Sequence, residues 1–370
     1  MAEVEIGIFK SARQAYGFDD IAIVPSRRTR DPEDVDISWQ IDAYKFELPV
    51  LGSAMDGAIS PLTAIELGRL GGLGVLNLEG LWTRYEDPTP LFEEITELED
   101  DKATARMQQM YLEPIKLELV AERIKQMKDA GIVTSASVTP ARTSWMSKTI
   151  IDSGLDILVI QGTVVSAEHV SKTAEPLNLK KFIREFEVPV IVGGCASYQA
   201  ALHLMRTGAA GVLVGVGPGN ACTSRGVLGI GVPQATAIAD VAGARMRHLD
   251  ETGVYVHVIA DGGMSKGGDI AKAIACGADA VVLGTPLAEA VEAQGEGWFW
   301  PSAAAHPSLP RGALLQIAAG ERLSLDQVLN GPSDDPFGSL NLVGGLRRSM
   351  AKSGYCDLKE FQKVGLTVGS

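Results

Sequence analysis

The stretch Val188-Pro189-Val190-Ile191-Val192-Gly193-Gly194-Cys195, a helix-like stretch after it, and then Gly211-Val212-Leu213-Val214-Gly215 decide the fold. Each apolar, β-branched run is short and closed by glycine. A near-continuous apolar run of this length reads as a strand buried on both faces. Working outward, the same pattern recurs upstream at Leu48–Ser53, Gly74–Asn77, Val133–Val138 and Asp156–Gln161. Downstream it recurs at Tyr255–Ala260 and Ala280–Leu283. With Val188–Val192 and Gly211–Gly215 this makes eight strands, with helix-like stretches between them. Such alternation implies a parallel sheet, and eight units closing on themselves imply a (β/α)₈ TIM barrel of class α/β. The alternative is an open doubly wound sheet. It would carry G-x-G-x-x-G after the first strand, and none is there; Gly71-Gly72-Leu73-Gly74 is a tight turn entering strand two.

The chain has 370 residues, 46% of them hydrophobic, enough for one large barrel domain over residues 1–370. Two segments break the eight-unit rhythm. Arg84–Lys116 is charged, contains Pro88, Pro90 and Pro114, and reads as an extended excursion between strands two and three. Gly295–Ser339 follows strand eight and holds Trp298, Trp300, Pro301, Pro307, Pro310, Pro332 and Pro336. A long proline-rich segment at this place is either an active-site lid or a passive cover.

The net charge of −13 speaks against a nucleic-acid binder, which needs clustered Lys and Arg. It does not exclude an anionic ligand, because backbone N–H groups can hold a phosphate. Met1–Arg13 has no apolar core of a signal peptide, and no apolar run reaches membrane-spanning length. Cys195, Cys222, Cys276 and Cys356 are scattered and form no C-x-x-C pair, so free thiols in a reducing cytoplasm are expected rather than a zinc site.

Barrel active sites lie at the C-terminal ends of the strands, and the loops after strands seven and eight often bind phosphate. Here those loops read Ala260-Asp261-Gly262-Gly263 and Leu283-Gly284-Thr285. Their glycines permit close backbone approach, and Thr285 adds a hydroxyl. Asp261 suits a grip on vicinal ribose hydroxyls; the plainer reading is a turn cap. The loop after strand six, Gly215-Val216-Gly217-Pro218-Gly219-Asn220-Ala221-Cys222-Thr223-Ser224-Arg225, is the sharper signal. It is a rigid glycine-proline loop that presents a cysteine where a helix begins, the setting in which a thiol becomes nucleophilic. Cys195 lies at the rim after strand five, within reach of a substrate but without a catalytic role. Cys276 falls on a helix face and reads as core.

Gly215–Arg225 followed by Gly231-Val232-Pro233-Gln234-Ala235-Thr236-Ala237 resembles the catalytic-loop region of the IMP dehydrogenase/GMP reductase family. Ser53-Ala54-Met55-Asp56, Ala260–Gly263 with Gly268–Ala273, Gly277–Ala280 with Gly284-Thr285, and Gly344-Gly345-Leu346-Arg347 extend the likeness over most of the chain. It is nearest to the stand-alone branch that lacks paired CBS domains, for which residues 84–116 leave no room.

The resemblance implies oxidation of IMP to XMP with NAD through a covalent adduct on Cys222, with Ser224 helping water to attack. It assigns Ser53, Met55, Asn220, Asp261, Gly263, Gly284 and Thr285 to the nucleotide. Gln161, Gly162, Gly215 and Gly217 fall to the cofactor. The carbonyls of Gly217, Gly219 and Cys222 would hold a monovalent cation such as K⁺, and a homo-oligomer, tetramer or octamer, is implied. The chain departs from the family pattern at three places. Gln161-Gly162-Thr163 stands where an aspartate-led run is usual, Cys195 where asparagine is usual, and Gly297-Trp298-Phe299-Trp300-Pro301-Ser302-Ala303 where the flap carries an Arg-Tyr pair. The nearest arginine to the altered flap is Arg311. Three further readings are a GMP reductase using NADPH, for which Glu296 is the nearest acid; a nucleotide-binding regulatory homologue without catalysis; and a flavin barrel.

Overall fold

The computed structural model describes residues 3–172, 176–301, 315–316 and 322–369. Eight parallel strands close into a barrel: β1 (Val50–Gly52), β2 (Leu73–Asn77), β3 (Ser135–Val138), β4 (Ile157–Gln161), β5 (Val190–Cys195), β6 (Gly211–Val214), β7 (His257–Asp261) and β8 (Ala280–Leu283). They pair in chain order, and β8 returns to β1 with Val281 opposite Val50 and Leu283 opposite Gly52. All eight expected strands are present. β1, β3, β4, β5 and β7 begin one or two residues later than the apolar runs, and at β3 and β4 side chains bond across the base. Asp156 accepts from the backbone N–H and the hydroxyl of Thr134, both at 2.9 Å, which ties the feet of β3 and β4 together before either strand begins. β5 instead runs further than expected, through Gly193 and Gly194 to Cys195.

The barrel is ringed by helices α1 (Pro61–Arg69), α2 (Leu117–Asp129), α3 (Pro140–Asp152), α4 (Leu179–Glu185), α5 (Tyr198–Met205), α6 (Gln234–Thr252), α7 (Gly267–Ala275) and α8 (Leu342–Lys352). Local sequence starts several of them. Ser60 accepts from Thr63 N ahead of Pro61 at the opening of α1, Ser197 caps α5 and Asn341 caps α8. One apolar cluster, which includes Leu51, Leu76, Ile191, Ile259 and Val281, fills the space between barrel and helices. No described helix is long and apolar enough to cross a membrane.

The base of the barrel is locked by charge. Asp279, 2% exposed just before β8, accepts from Arg245 of α6 (3.0 Å), Tyr255 (2.7 Å), Lys359 (2.5 Å), Gln362 (3.0 Å) and Val258 N (2.8 Å). Burial alone would raise this carboxyl; Arg245 and Lys359 outweigh it and hold it down to about 2.

The excursion after β2 does not run extended. It folds into two helices, Thr89–Glu97 and Asp100–Met110, because apolar residues recur at helical spacing: Phe92 with Ile95, and Ala103, Met107 and Met110, all buried. These helices carry Tyr111 toward the mouth of the barrel. There Tyr111 donates to Asp56 after β1 and accepts from Trp300 Nε1 at 2.9 Å. Trp298, Phe299 and Trp300 are all buried, so the root of the segment after β8 is part of the core. Trp298–Phe299 pairs with Leu315–Gln316 as a two-stranded ribbon. Arg311 and the rest of the expected lid between residues 302 and 321 fall outside the described residues apart from that strand.

Gly57, in the loop after β1, fixes where this root can lie. A Cβ there would stand 2.1 Å from the Trp298 carbonyl. Gly57→Ala is expected to destabilise the protein by about 1–3 kcal/mol, measured by urea unfolding. A change near zero would show that the ribbon root can move aside.

Candidate active site

The loop after β6 is built to hold Cys222 in place. Gly217 has φ +82°, and a side chain there would strike the stem of Arg225. Cys222 N donates to Gly219 O at 3.0 Å, closing a turn over Asn220 and Ala221. The chain then enters a short helix, Ser224–Leu228, as the glycine loop suggested, although the long helix α6 begins only at Gln234. Cys222 is half-buried and its Sγ stands 3.3 Å from Ser224 Oγ, with Ser224 fully buried beneath it. A thiol and a hydroxyl thus share one edge of the barrel mouth.

The loop after β7 packs against this one. Gly262 and Gly263 have φ +87° and +81°; a Cβ on Gly262 would meet Gly219 N at 3.1 Å, and one on Gly263 would meet Pro218 at 3.2 Å. Asp261, the last residue of β7, does not cap a turn with its side chain. Its carboxyl accepts from Gln161 Nε2 at 3.0 Å, while its carbonyl accepts from Gln234 Nε2 at 3.2 Å. Burial pushes this carboxyl up to about 6, against the smaller, opposing effect of the Gln161 bond.

The loops after β8 and β1 form a second pair. Gly284 leaves room for Met55: a Cβ on it would lie 2.4 Å from Met55 Cε and 3.5 Å from Ser53. Thr285 opens a four-residue helix directly after Gly284. Because β6, β7, β8 and β1 are successive in the barrel, Asn220, Cys222, Ser224, Asp261, Gly263, Gly284, Thr285, Ser53 and Met55 occupy one continuous arc of the mouth. Asn220 is exposed and Met55 buried, so they stand at the outer and inner edges of that arc.

The residues expected at the cofactor lie differently. Gly162 N donates to Gly193 O and Gly215 N to Cys195 O, both bonds between neighbouring strand ends. Gln161 is engaged with Asp261, and Gly217 lies under Arg225. What β4, β5 and β6 offer together is a floor without side chains. A Cβ on Gly194 would stand 2.6 Å from Gly215 O, and one on Gly215 would stand 1.9 Å from Asp261 O.

Cys195 is turned away from the rim where the sequence placed it. It is 1% exposed, its Sγ bonds Leu213 O at 3.4 Å, and burial raises its thiol to about 12. The strand's extra length brings it inside, so it cannot touch a substrate. Cys276 caps the end of α7 half-buried, also raised to about 12 by burial. Glu296 sits exposed in a turn. Two residues escaped the sequence reading. Gln234 spans from Val214 O to Asp261 O, and Tyr111 reaches the mouth from the excursion; a glutamine in P-Q-A-T-A and a tyrosine after an exposed helix carry no signal of either placement.

Residues 15–306 match the family model described as IMP dehydrogenase / GMP reductase domain. An uncharacterized oxidoreductase of Mycolicibacterium smegmatis is 59% identical over 99% of this chain and 100% of its own length. The inosine-5'-monophosphate dehydrogenase of Methanocaldococcus jannaschii is 27% identical, with 95% of this chain and 92% of that protein covered. The crystal structure of an IMP dehydrogenase/GMP reductase-like protein from Corynebacterium glutamicum superposes with a TM-score of 0.93 at 50% identity, over 99% of this chain and 98% of that one. A single barrel with a thiol–hydroxyl pair on its β6 loop, matched along most of its length by these relatives, is an oxidoreductase that belongs to the IMP dehydrogenase/GMP reductase family.

Proposed function

We propose that this protein oxidises IMP to XMP. The observation that carries the reading is the Cys222–Ser224 pair, 3.3 Å apart, on a loop packed directly against the one that follows Asp261. In this reading the Cys222 thiolate adds to C2 of the hypoxanthine ring, and a hydride leaves C2. NAD, when bound, would supply the acceptor for that hydride, and the strand-end glycines Gly162, Gly194 and Gly215 would hold it. Water then attacks C2, assisted by Ser224; the C–S bond breaks, the thiol is restored, and XMP leaves with one proton released. Covalent catalysis divides one difficult displacement into two easier steps. Asp261 receives the ribose hydroxyls, and Gly263, Gly284 and Thr285 receive the phosphate. A homo-oligomer, as the family resemblance implies, is part of the same proposal.

The test is mass spectrometry of the protein mixed with IMP and NAD, together with absorbance at the NADH band. An adduct on Cys222 with NADH formed supports the reading. GMP-dependent loss of NADPH without IMP oxidation replaces it with the reductase reading, and neither activity with nucleotide still bound makes the chain a non-catalytic homologue.

Asp261 gives a pH dependence. Its folded value near 6 lies above the usual carboxylate range, so the charged form that accepts two hydroxyls prevails only above about pH 6. IMP binding is expected to weaken several-fold as pH falls from 7 to 5 in calorimetric titrations. The IMP phosphate also titrates near 6. Asp261→Asn isolates the carboxyl's share: it should weaken binding at pH 7.5 by about 10- to 100-fold and flatten the profile. An unchanged profile in the variant would remove Asp261 from the sugar site.

A further inference from the structure

β4 and β7 are not neighbours; β5 and β6 stand between them. The bond from Gln161 Nε2 to Asp261 Oδ2, 3.0 Å long, therefore crosses the mouth of the barrel. It can do so because β5 carries Gly193-Gly194 just before its last residue and Gly215 directly follows β6, and these place no side chain in the way. Gln161 is itself held from the far side, where Ser137 Oγ on β3 donates to its Oε1 at 3.4 Å. That acceptor bond fixes which end of the amide faces Asp261. On the other flank Gln234 donates to the Asp261 carbonyl and to Val214 O, which pins the main chain. Asp261 is thus clamped at both ends, and among the described residues its Oδ1 has no hydrogen-bond partner.

We propose that Gln161 is a positioning residue for nucleotide recognition: by fixing Oδ2 across the barrel mouth, it leaves Oδ1 as the oxygen turned to the sugar. This rests on the reading of Asp261 as the ribose anchor. The same amide has a second effect. A carboxylate removed from water is favoured by a donor aimed at it, and among the described residues Gln161 is the side chain that acts in this sense on Asp261, whose ionisation is otherwise set by burial. Among the described residues, the neighbouring elements present Gln161, Gly215 and Gln234 to it, and no charged side chain shifts its ionisation. Gln161 thereby sets both the direction and the pH range of the grip.

Gln161→Leu keeps the bulk and removes the donor; Gln161→Glu keeps the length and replaces the donor with a second acid. The first readout needs no ligand: the ¹³C carboxyl titration of aspartate-labelled protein, with the Asp261 resonance assigned by Asp261→Asn. The midpoint is expected to rise by about half a unit or more in Gln161→Leu, since one hydrogen bond is lost from the charged form. It should rise further in Gln161→Glu, where two acids face each other. The second readout is IMP binding by calorimetry at pH 6.0 and 8.5. Gln161→Leu should lose more affinity at pH 6.0 than at 8.5. An unmoved midpoint with an equal loss at both pH values, in a protein that melts as the wild type does, would reduce Gln161 to packing and overturn the proposal. A wild type that binds no purine nucleotide at either pH refutes the ribose reading itself, and the ligand-free titration distinguishes that failure from the first.

Discussion

Cys222→Ser is expected to lower IMP-dependent NADH formation by on the order of 10⁴-fold or more, while IMP still binds within a few-fold of the wild type. The substitution exchanges one atom on a loop whose shape is set by Gly217, Pro218 and Gly219, so the scaffold is kept. What changes is the nucleophile. A thiol ionises near physiological pH and adds readily to an electron-poor carbon; a serine hydroxyl does so only with a base to take its proton. The nearest group, Ser224, is another neutral hydroxyl, 3.3 Å away in the native protein. Retained turnover in the variant would exclude covalent chemistry at this position. Loss of binding together with turnover would show instead that the thiol holds the nucleotide in place.

The second large effect concerns stability. Asp279→Ala is expected to cost about 3–5 kcal/mol, because it leaves the guanidinium of Arg245 enclosed without its counter-charge. Arg245 and Asp279 are 6% and 2% exposed, so neither gains water in compensation. Asp279→Asn should cost less, since it keeps part of the hydrogen bonding. The sign of the pH dependence follows from the depressed value near 2. The stabilisation is present at and above the ordinary carboxylate range and is lost as pH falls from about 5 toward 2. Urea unfolding at pH 7 and pH 3 reads both effects. In the variant the slope of stability against pH over that interval should be smaller than in the wild type; equal slopes would assign acid sensitivity to other carboxylates.

The barrel was legible because each strand is buried on both faces and must be apolar throughout, a pattern that eight short runs show without any partner in view. Strand ends were less so. Thr134 and Asp156 read as strand residues by composition, yet their side chains bond across the base and the strands begin only after them. The excursion was misread because prolines at 88, 90 and 114 suggested extended chain. Pro90 lies in the first turn of its helix and Pro88 precedes it, where proline does no harm, and the helical spacing of Phe92, Ile95, Met107 and Met110 prevailed. In the site, loop residues fixed by glycine could be placed from the chain alone. Gln161 could not: its partner lies across the barrel, and no local pattern reports a contact between strands four and seven. Cys195 failed for a related reason, since β5 runs on from Val192 to Cys195 and the strand's register decides which side of the wall a side chain faces.

The junction of β8 with β1 has a consequence for how the protein is made. The first strand emerges early in synthesis and the last much later, so the edge at Val50 has no partner until Val281 has left the ribosome. Until then the nascent sheet is open at the free edge of β1. An unpaired strand edge of this kind is a place where nascent chains can associate with one another. The arc from the β6 loop to the β1 loop is also interrupted at this seam, so Gly284 meets Met55 only when the barrel shuts. The capacity to grip a nucleotide should therefore be acquired late and all at once, as a signature of completed closure.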